Sequence, residues 1–376
     1  MGNIFRRRRG TLGQSHPQVA NKRLASPARS RHRGGRHCPV AGTDCRHQHQ
    51  EGAARASSAH LVRLVESPVP SLSCAKGDAA ISQIAQQFQS CIEQYGPESV
   101  AFYVSGQLLA EDYYVVNKFV KGYLGTANID TNSRLCMSSA VAAHKRAFGE
   151  DIVPASYQDF EQTDMVVLVG SNTAWCHPVL YQRIMQAKAE RDIFVVVIDP
   201  RFTITCEQAD LHLPILPGQD IALFNGLLQY LHQHGCADQA FIDAYTQGIE
   251  AALQSSQAEQ NPEDVAKQTG IALEKLQQFY AKFAQTERVM TLFSMGVNQS
   301  SQGVNKANAI TNCHLYSGKI GKTGAAPFSM TGQPNAMGGR EVGGLANMLA
   351  AHLDIDNPQH QQLVQNFWHS PVIAKS

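Results

Sequence analysis

Three stretches constrain the fold more than anything else in the chain: "DMVVLVG" (164–170), "DIFVVVIDP" (192–200) and "ERVMTLFSMG" (287–296). Each is a nearly unbroken apolar run of strand length, closed by glycine or an Asp-Pro turn. A strand with one face in water alternates polar and apolar residues, so runs like these must be covered on both faces. Helical patterns lie between them, including "HPVLYQRIMQAKAER" (177–191), "DIALFNGLLQYLHQHG" (220–235) and "NKANAITNCHLYSG" (305–318). Strands alternating with helices predict an α/β fold, doubly wound around mainly parallel sheets. "SVAFYV" (99–104) and "DLHLPILPG" (210–218) add two strands. Further helices are expected at 81–96, 108–125 and 138–149, and two or three more within 238–285. The sequence after Gly344 is polar and Gln/His-rich and shows no closing signal.

In a doubly wound sheet, ligands bind outside the carboxyl ends of the strands. Those ends are residues 105–107 (SGQ), 170–178 (GSNTAWCHP), 199–205 (DPRFTIT), 217–220 (PGQD) and 294–299 (SMGVNQ). Each mixes Gly with Ser, Asn, Gln or Asp. Glycine lets backbone N–H groups approach a phosphate, and a helix start favours negative charge. An Asp just past a strand accepts hydrogen bonds from a ribose or a guanine edge. Singly these loops read as plain turns. None matches the dinucleotide or P-loop patterns. Together they fall on one edge and suit a large phosphate-bearing cofactor.

The charge is split along the chain. Residues 1–75 carry 13 Lys/Arg against 3 Asp/Glu, which leaves 19 of 32 and 28 of 31 for the acidic body. The "RRRRG" run at 6–10 lacks both the apolar stretch of an export signal and the aromatic residues of a nucleic-acid arm, so the head reads as a disordered terminus. No apolar run approaches the roughly 20 residues of a membrane span. Nine cysteines, odd in number and scattered singly through the body, argue against a disulfide framework and for a reducing, cytoplasmic compartment.

One cysteine stands apart. Within "NIDTNSRLCMSSAVAAHKRAFGED" (128–151), Cys136 sits at a predicted helix start. There the dipole favours a thiolate, the form that binds metal. A lone cysteine of this kind also serves as a small buried apolar residue.

Residues 100–345 resemble the catalytic subunit of the molybdopterin oxidoreductases that carry bis-molybdopterin guanine dinucleotide, and among them the assimilatory nitrate reductases. The similarity runs through residues 128–151, "VLVGSNTAWCHPVL", "VVIDPRFTITCEQADLHLPILPGQDIAL" and "SMGVNQSSQGVNKANAITNCHLYSGKIGKTGAAPFSMTGQPNAMGGREVG". The resemblance implies that Cys136 ligates molybdenum. Met137 follows it, as in nitrate reductases, where formate dehydrogenases have His. It further implies that Gln107 and Asn132 contact the pterin. Gly170, Ser171, Asn172 and His177 resemble one guanine-dinucleotide loop, Asp199 and Arg201 a second, and Gly218 and Asp220 a third. Met295 and Gln299 resemble residues lining the metal pocket, and residues 332–335 with Arg340 and Glu341 a loop covering it. Arg340 would steer an anion or, equally, form a surface pair with Glu341. The implied reaction is oxygen-atom transfer, reducing nitrate to nitrite, with electrons from ferredoxin, flavodoxin or a partner reductase. The alternatives are a formate dehydrogenase and a non-enzymatic remnant.

The family carries a [4Fe–4S] cluster near its N-terminus. Cys38, Cys45 and Cys74 match its spacing, and Lys76 stands between cluster and pterin, but Ala41 replaces the second thiolate. The head (1–77) is therefore expected to be a degenerate or disordered cluster domain, and residues 78–376 the molybdopterin-binding lobes of a chain truncated before the C-terminal β-barrel.

Overall fold

A computed structural model describes residues 77–343 and 346–375. The expectations for Cys38, Ala41, Cys45, Cys74 and Lys76 lie outside the described residues. Helix α1 spans Gly77–Tyr95. Two parallel sheets follow. The smaller pairs β1 (Phe102–Val104) with β2 (Ile129–Thr131). Between them run α2 (Ala110–Phe119) and a π-helical turn, Val120–Leu124. Helix α3 (Ser133–Phe148) leaves directly from β2.

The larger sheet holds β3 (Met165–Val169), β4 (Phe194–Ile198), β5 (Leu211–Leu213), β6 (Val289–Phe293) and β7 (Ala326–Ser329). Their order is β5-β4-β3-β6-β7, parallel throughout. Helix α4 (Pro178–Arg191) joins β3 to β4, and α5 (Asp220–Gln233) follows β5. Four helices then fill 239–285, ending in α6 (Leu273–Gln285), where the sequence suggested two or three. Helix α7 (Gly303–Tyr316) follows β6.

Every residue of β3 and β6 is buried, as their unbroken apolar runs require. The odd side chains of β3 pack with α5, α6 and α7 in one cluster, and the even ones with α4 and Phe160 in another. Burying each such Val or Leu contributes about 1.5–3 kcal/mol. His314 on α7 is enclosed completely. Its Nδ1 bonds the Lys319 carbonyl and its Nε2 the Thr291 hydroxyl, each at 2.8 Å.

Strands β2 and β7 are not visible in the apolar pattern. Each is short, three and four residues. Pro327 removes a donor from β7, which is tolerable because β7 lies at a sheet edge.

The end of the described chain also departs from the sequence expectation. Residues after Gly344 close with α8 (Pro358–Trp368), capped by the Asn357 side chain and buried through Val364 and Trp368. Trp368 packs against Tyr114 of α2 edge-to-face. The π turn holds this segment. Lys121, fully buried, donates from Nζ to the carbonyls of Gly343 and Met348. The backbone carbonyls of Lys121 and Gly122 accept from Ala374 and Val372. Desolvation lowers the Lys121 ammonium to about 7.

Candidate functional site

The strand order reverses between β3 and β6: the chain proceeds from β3 to β4 and β5 on one side, then crosses to β6 and β7 on the other. Such a reversal splays the two flanking loops apart and opens a crevice at the carboxyl edge. Here the loops also touch. Gly296 N donates to the Gly170 carbonyl at 3.0 Å. A Cβ on Gly170 would lie 2.7 Å from the Gly296 Cα, and one on Gly296 would lie 2.6 Å from the Gly170 Cα. Gly170 has φ +54°, outside the comfortable range of other residues. Gly296→Ala is expected to lower stability by about 1–3 kcal/mol, because neither backbone can yield to the added methyl. Urea unfolding of the purified chain measures it. An unchanged midpoint would mean that the loops are free to part.

The site residues expected from the sequence that fall in the described part lie beyond the carboxyl ends of strands of the two sheets. Gln107 follows β1. Asn132 follows β2, and Cys136, half-buried, stands in the first turn of α3. Gly170, Ser171, Asn172 and His177 follow β3, Asp199 and Arg201 follow β4, Gly218 and Asp220 follow β5, and Met295 and Gln299 follow β6. Arg340 lies in the short helix Ala336–Glu341 beyond β7.

Hydrogen bonds tie these loops together. Gly106 N donates to Asn132 Oδ1 at 2.9 Å, and Asn335 N to the Gly106 carbonyl at 3.2 Å. A Cβ on Gly106 would meet Gln333 Cγ at 2.6 Å, so the loop after β1 and the 332–335 loop close on each other. Tyr113 on α2 donates to the Ser105 carbonyl, and its ring fills the space beside Gly339. Asn298, buried, accepts from Ala140 N through Oδ1, and its carbonyl accepts from Ser139 Oγ, each at 2.8 Å. That clasp fixes α3, and with it Cys136, against the loop carrying Met295. Tyr113 and Asn298 were not singled out from the sequence. Tyr113 reads there as an ordinary helical residue, and Asn298 as one polar residue of the 294–299 loop, whose partners Ser139 and Ala140 lie 159 and 158 positions earlier.

The loops after β3 and β4 are joined through Thr205. Ala174 N donates to its hydroxyl at 3.1 Å, and that hydroxyl donates to Asn172 Oδ1 at 2.8 Å. Asn172 Nδ2 is thereby turned away from Thr205. Asp199 Oδ1 accepts from Arg201 N at 2.9 Å, which shapes the turn, while the Arg201 side chain stays exposed. His177 Nε2 is buried without a partner, and burial holds the imidazole below its ordinary value.

Two residues have different surroundings from those expected. Asp220 is buried and paired with Lys306 of α7 at 2.7 Å, and Lys306 Nζ also lies 3.4 Å from the Gly296 carbonyl. Its carboxylate is therefore committed to the protein. Arg340 does not form a surface pair with Glu341. It is buried, with Nε 2.8 Å from Asp151 Oδ2 just past α3, while Glu341 pairs with His352 at 2.9 Å. Burial lowers the guanidinium and raises the Asp151 carboxyl, and in both groups the partner's charge opposes the effect.

His144, two turns along α3 from Cys136, is also enclosed. Burial, helped by the Arg340 charge, lowers it to about 4, and burial lowers His314 to the same value. A histidine near 6.5 when unfolded and near 4 when folded binds fewer protons in the folded state. Its contribution is thus complete above 6.5 and lost as pH falls toward 4. Each is expected to remove about 3 kcal/mol across that window. Chemical denaturation at pH 7 and pH 4.5 checks this. Equal stabilities at the two would show that both imidazoles are open to solvent.

The edge combines backbone cradles too tight for a Cβ, an unpartnered buried imidazole and one half-buried thiol. A family profile described as molybdopterin oxidoreductase matches residues 77–372.

The chain belongs to the molybdopterin oxidoreductase family.

It is 55% identical over 298 residues to a nitrate reductase of Shewanella frigidimarina, covering 79% of this chain and 32% of that one. It is 51% identical over 298 residues to a nitrate reductase of Klebsiella oxytoca, covering 79% and 34%. The chain thus spans about a third of the length of these relatives. Among solved structures, acetylene hydratase from Pelobacter acetylenicus superimposes with a TM-score of 0.57 at 23% identity, over 67% of this chain and 34% of that chain, a likeness of fold. The residues beyond the strand ends are compatible with the family's group: Gly218 with open space beside it, the unpartnered His177 Nε2 and the half-buried thiol of Cys136. Among the described residues no helix is long and apolar enough to cross a membrane, and no group of three or more His, Cys, Asp or Glu is placed to hold a metal ion.

Proposed function

We propose that this chain forms the cofactor-binding lobes of a molybdenum-dependent nitrate reductase of the assimilatory type, working in the cytoplasm. What supports this reading is that the expected residues follow the carboxyl ends of strands in both parallel sheets, with the helix of Cys136 clasped to the loop after β6 through Asn298. Molybdenum bound as bis-molybdopterin guanine dinucleotide supplies the two-electron redox chemistry. The balance is nitrate plus two electrons and two protons giving nitrite and water.

The chain's own residues do the rest. Cys136 offers its thiolate as the protein ligand. Gln107 and Asn132 orient the pterin, Asn132 through a carbonyl already fixed by Gly106 N. Gly170, Ser171, Asn172 and His177 hold one guanine dinucleotide, with Asn172 Nδ2 and His177 Nε2 as donors. Asp199 and Arg201 hold the second, Asp199 as acceptor and the exposed guanidinium as counter-charge. Gly218 leaves room for a phosphate, while Asp220 shapes its loop through Lys306. Met295 and Gln299 line the metal pocket. Arg340, its position fixed by Asp151, presents its remaining N–H groups to the substrate anion. The electron donor is a ferredoxin, a flavodoxin or a reductase subunit. A [4Fe–4S] cluster on Cys38, Cys45 and Cys74, with Lys76 beside it, would take electrons in, and three thiolates hold it less firmly than four.

The test is molybdenum per chain in protein purified without oxygen from a host that makes the cofactor, followed by nitrate and formate turnover with an artificial donor. About one metal per chain with nitrate-dependent turnover supports the reading. Formate turnover would shift it within the family, and a metal-free chain would leave the family's fold without its chemistry.

A further inference from the structure

A small cavity lies on the inner face of α3, immediately behind Cys136. Its volume is about 30 Å³. Met137, Ala140 and His144 form one wall, and Asp151, Thr331 and Arg340 form the other. That space admits about two water molecules. His144 is 2% exposed, and its Nε2 has no partner. The rings of Phe148 and Phe293 flank it. An unpaired polar atom this deep calls for a ligand.

The chemistry of the walls selects that ligand. Asp151 and Arg340 cancel each other's charge across 2.8 Å. A small anion would meet the Asp151 carboxylate, and a cation would meet the Arg340 guanidinium. A neutral molecule that both donates and accepts suits all three groups, and at this volume that molecule is water. The charged groups around Asp151 are Arg340, His352, Lys145 and Glu341, and Arg340 is the one that acts on His144. Glu341 and His352, paired at 2.9 Å, act on Asp151 electrostatically, and their side chains are 57% and 33% exposed. The charged cluster on the Arg340 side of the cavity thus has outer members that reach solvent.

We propose that this cavity is a hydrated chamber that delivers protons to the Cys136 site, with His144 as the residue that positions its water. The proposal rests on the nitrate-reducing reading, in which each turnover consumes two electrons from the donor and two protons from solvent. One N–O bond breaks, and the departing oxygen leaves as water. His144 Nε2 anchors the water through which those protons pass, and is itself unchanged after each transfer.

Two measurements on the full chain test this. In the first, nuclear Overhauser transfer from water to the side-chain protons of residue 144 reads hydration directly and needs no cofactor. A long-lived water signal is expected in the wild type and in His144→Gln, whose amide nitrogen replaces Nε2, and none in His144→Phe. A wild-type ring with no water signal overturns the chamber. The second uses molybdenum-loaded protein. In His144→Phe, kcat is expected to fall about tenfold to a hundredfold with KM unchanged. The solvent deuterium isotope effect should rise, and His144→Gln should restore both. Wild-type kcat and isotope effect in His144→Phe overturn proton delivery even if the chamber is wet. A chain that takes up no molybdenum removes proton delivery together with the nitrate reading, while the water signal still decides the chamber.

Discussion

Replacing Cys136 with alanine is expected to take the proposed nitrate turnover to background and to leave the fold intact. The two halves of that result have separate causes. The helix is held by its buried residues Ser133, Met137, Ala140, Ala143, His144 and Ala147, not by Cys136, which is half-buried on the open side. Alanine is the best helix former, so the substitution should leave thermal unfolding near the wild-type midpoint. The thiolate, by contrast, is the one protein ligand proposed for the metal. Residues that merely support a metal ligand cost about 10–100-fold when removed, and loss of the ligand itself should exceed that range. Turnover with an artificial donor, set beside molybdenum content and unfolding temperature, checks both halves. A Cys136→Ala protein with more than a tenth of wild-type turnover would dismiss Cys136 as the ligand.

Asp151→Ala should be the most damaging single change to stability, at about 3–5 kcal/mol. Asp151 and Arg340 are 6% and 8% exposed. Removing the carboxylate strands a buried guanidinium that cannot shed its proton and has lost its counter-charge. The double variant Asp151→Leu/Arg340→Leu should recover most of the loss, because two apolar side chains of similar bulk need no partner. Urea unfolding of the single and double variants gives the coupling. Additive losses would show that the pair is solvated. The same comparison bears on function: a destabilised but folded Asp151→Asn protein should raise KM for nitrate if Arg340 meets the anion, since its orientation depends on Asp151.

The parallel sheet was legible because β3, β4 and β6 are almost wholly buried and so are written in Val, Ile, Leu, Met and Phe, with Thr291 the one exception. The carboxyl-edge loops followed from topology alone. What escaped has a common physical origin. Strands β2 and β7 carry too few residues for a period to register, and β7 includes a proline. The burial of Arg340 and Asp220 escaped because a charged residue looks the same in a sequence whether its partner is its neighbour or lies across the fold. Asp151 stands 189 positions before Arg340, and Lys306 lies 86 after Asp220, so no local pattern announces either pair. Closure by α8 was not read from the sequence. Asn357-Pro358 is a sound helix start, but the helix faces solvent on most sides and its Gln-rich surface hides the Val364 and Trp368 anchors.

The π turn at Val120–Leu124 binds carbonyl groups made long after it. Gly343 follows Lys121 by 222 residues. A ribosome adding about 5–20 residues per second needs roughly 10–45 s to cover that distance. Throughout that interval the Gly343 and Met348 carbonyls are not yet there for Lys121, and Tyr114 on α2 has no Trp368 to pack against. The first lobe therefore leaves the ribosome unfinished and stays so until nearly every described residue has been made. The large sheet can assemble in the meantime, and the small one is locked last. In a living cell this sets the period during which a chaperone or a protease can reach the β1–β2 lobe.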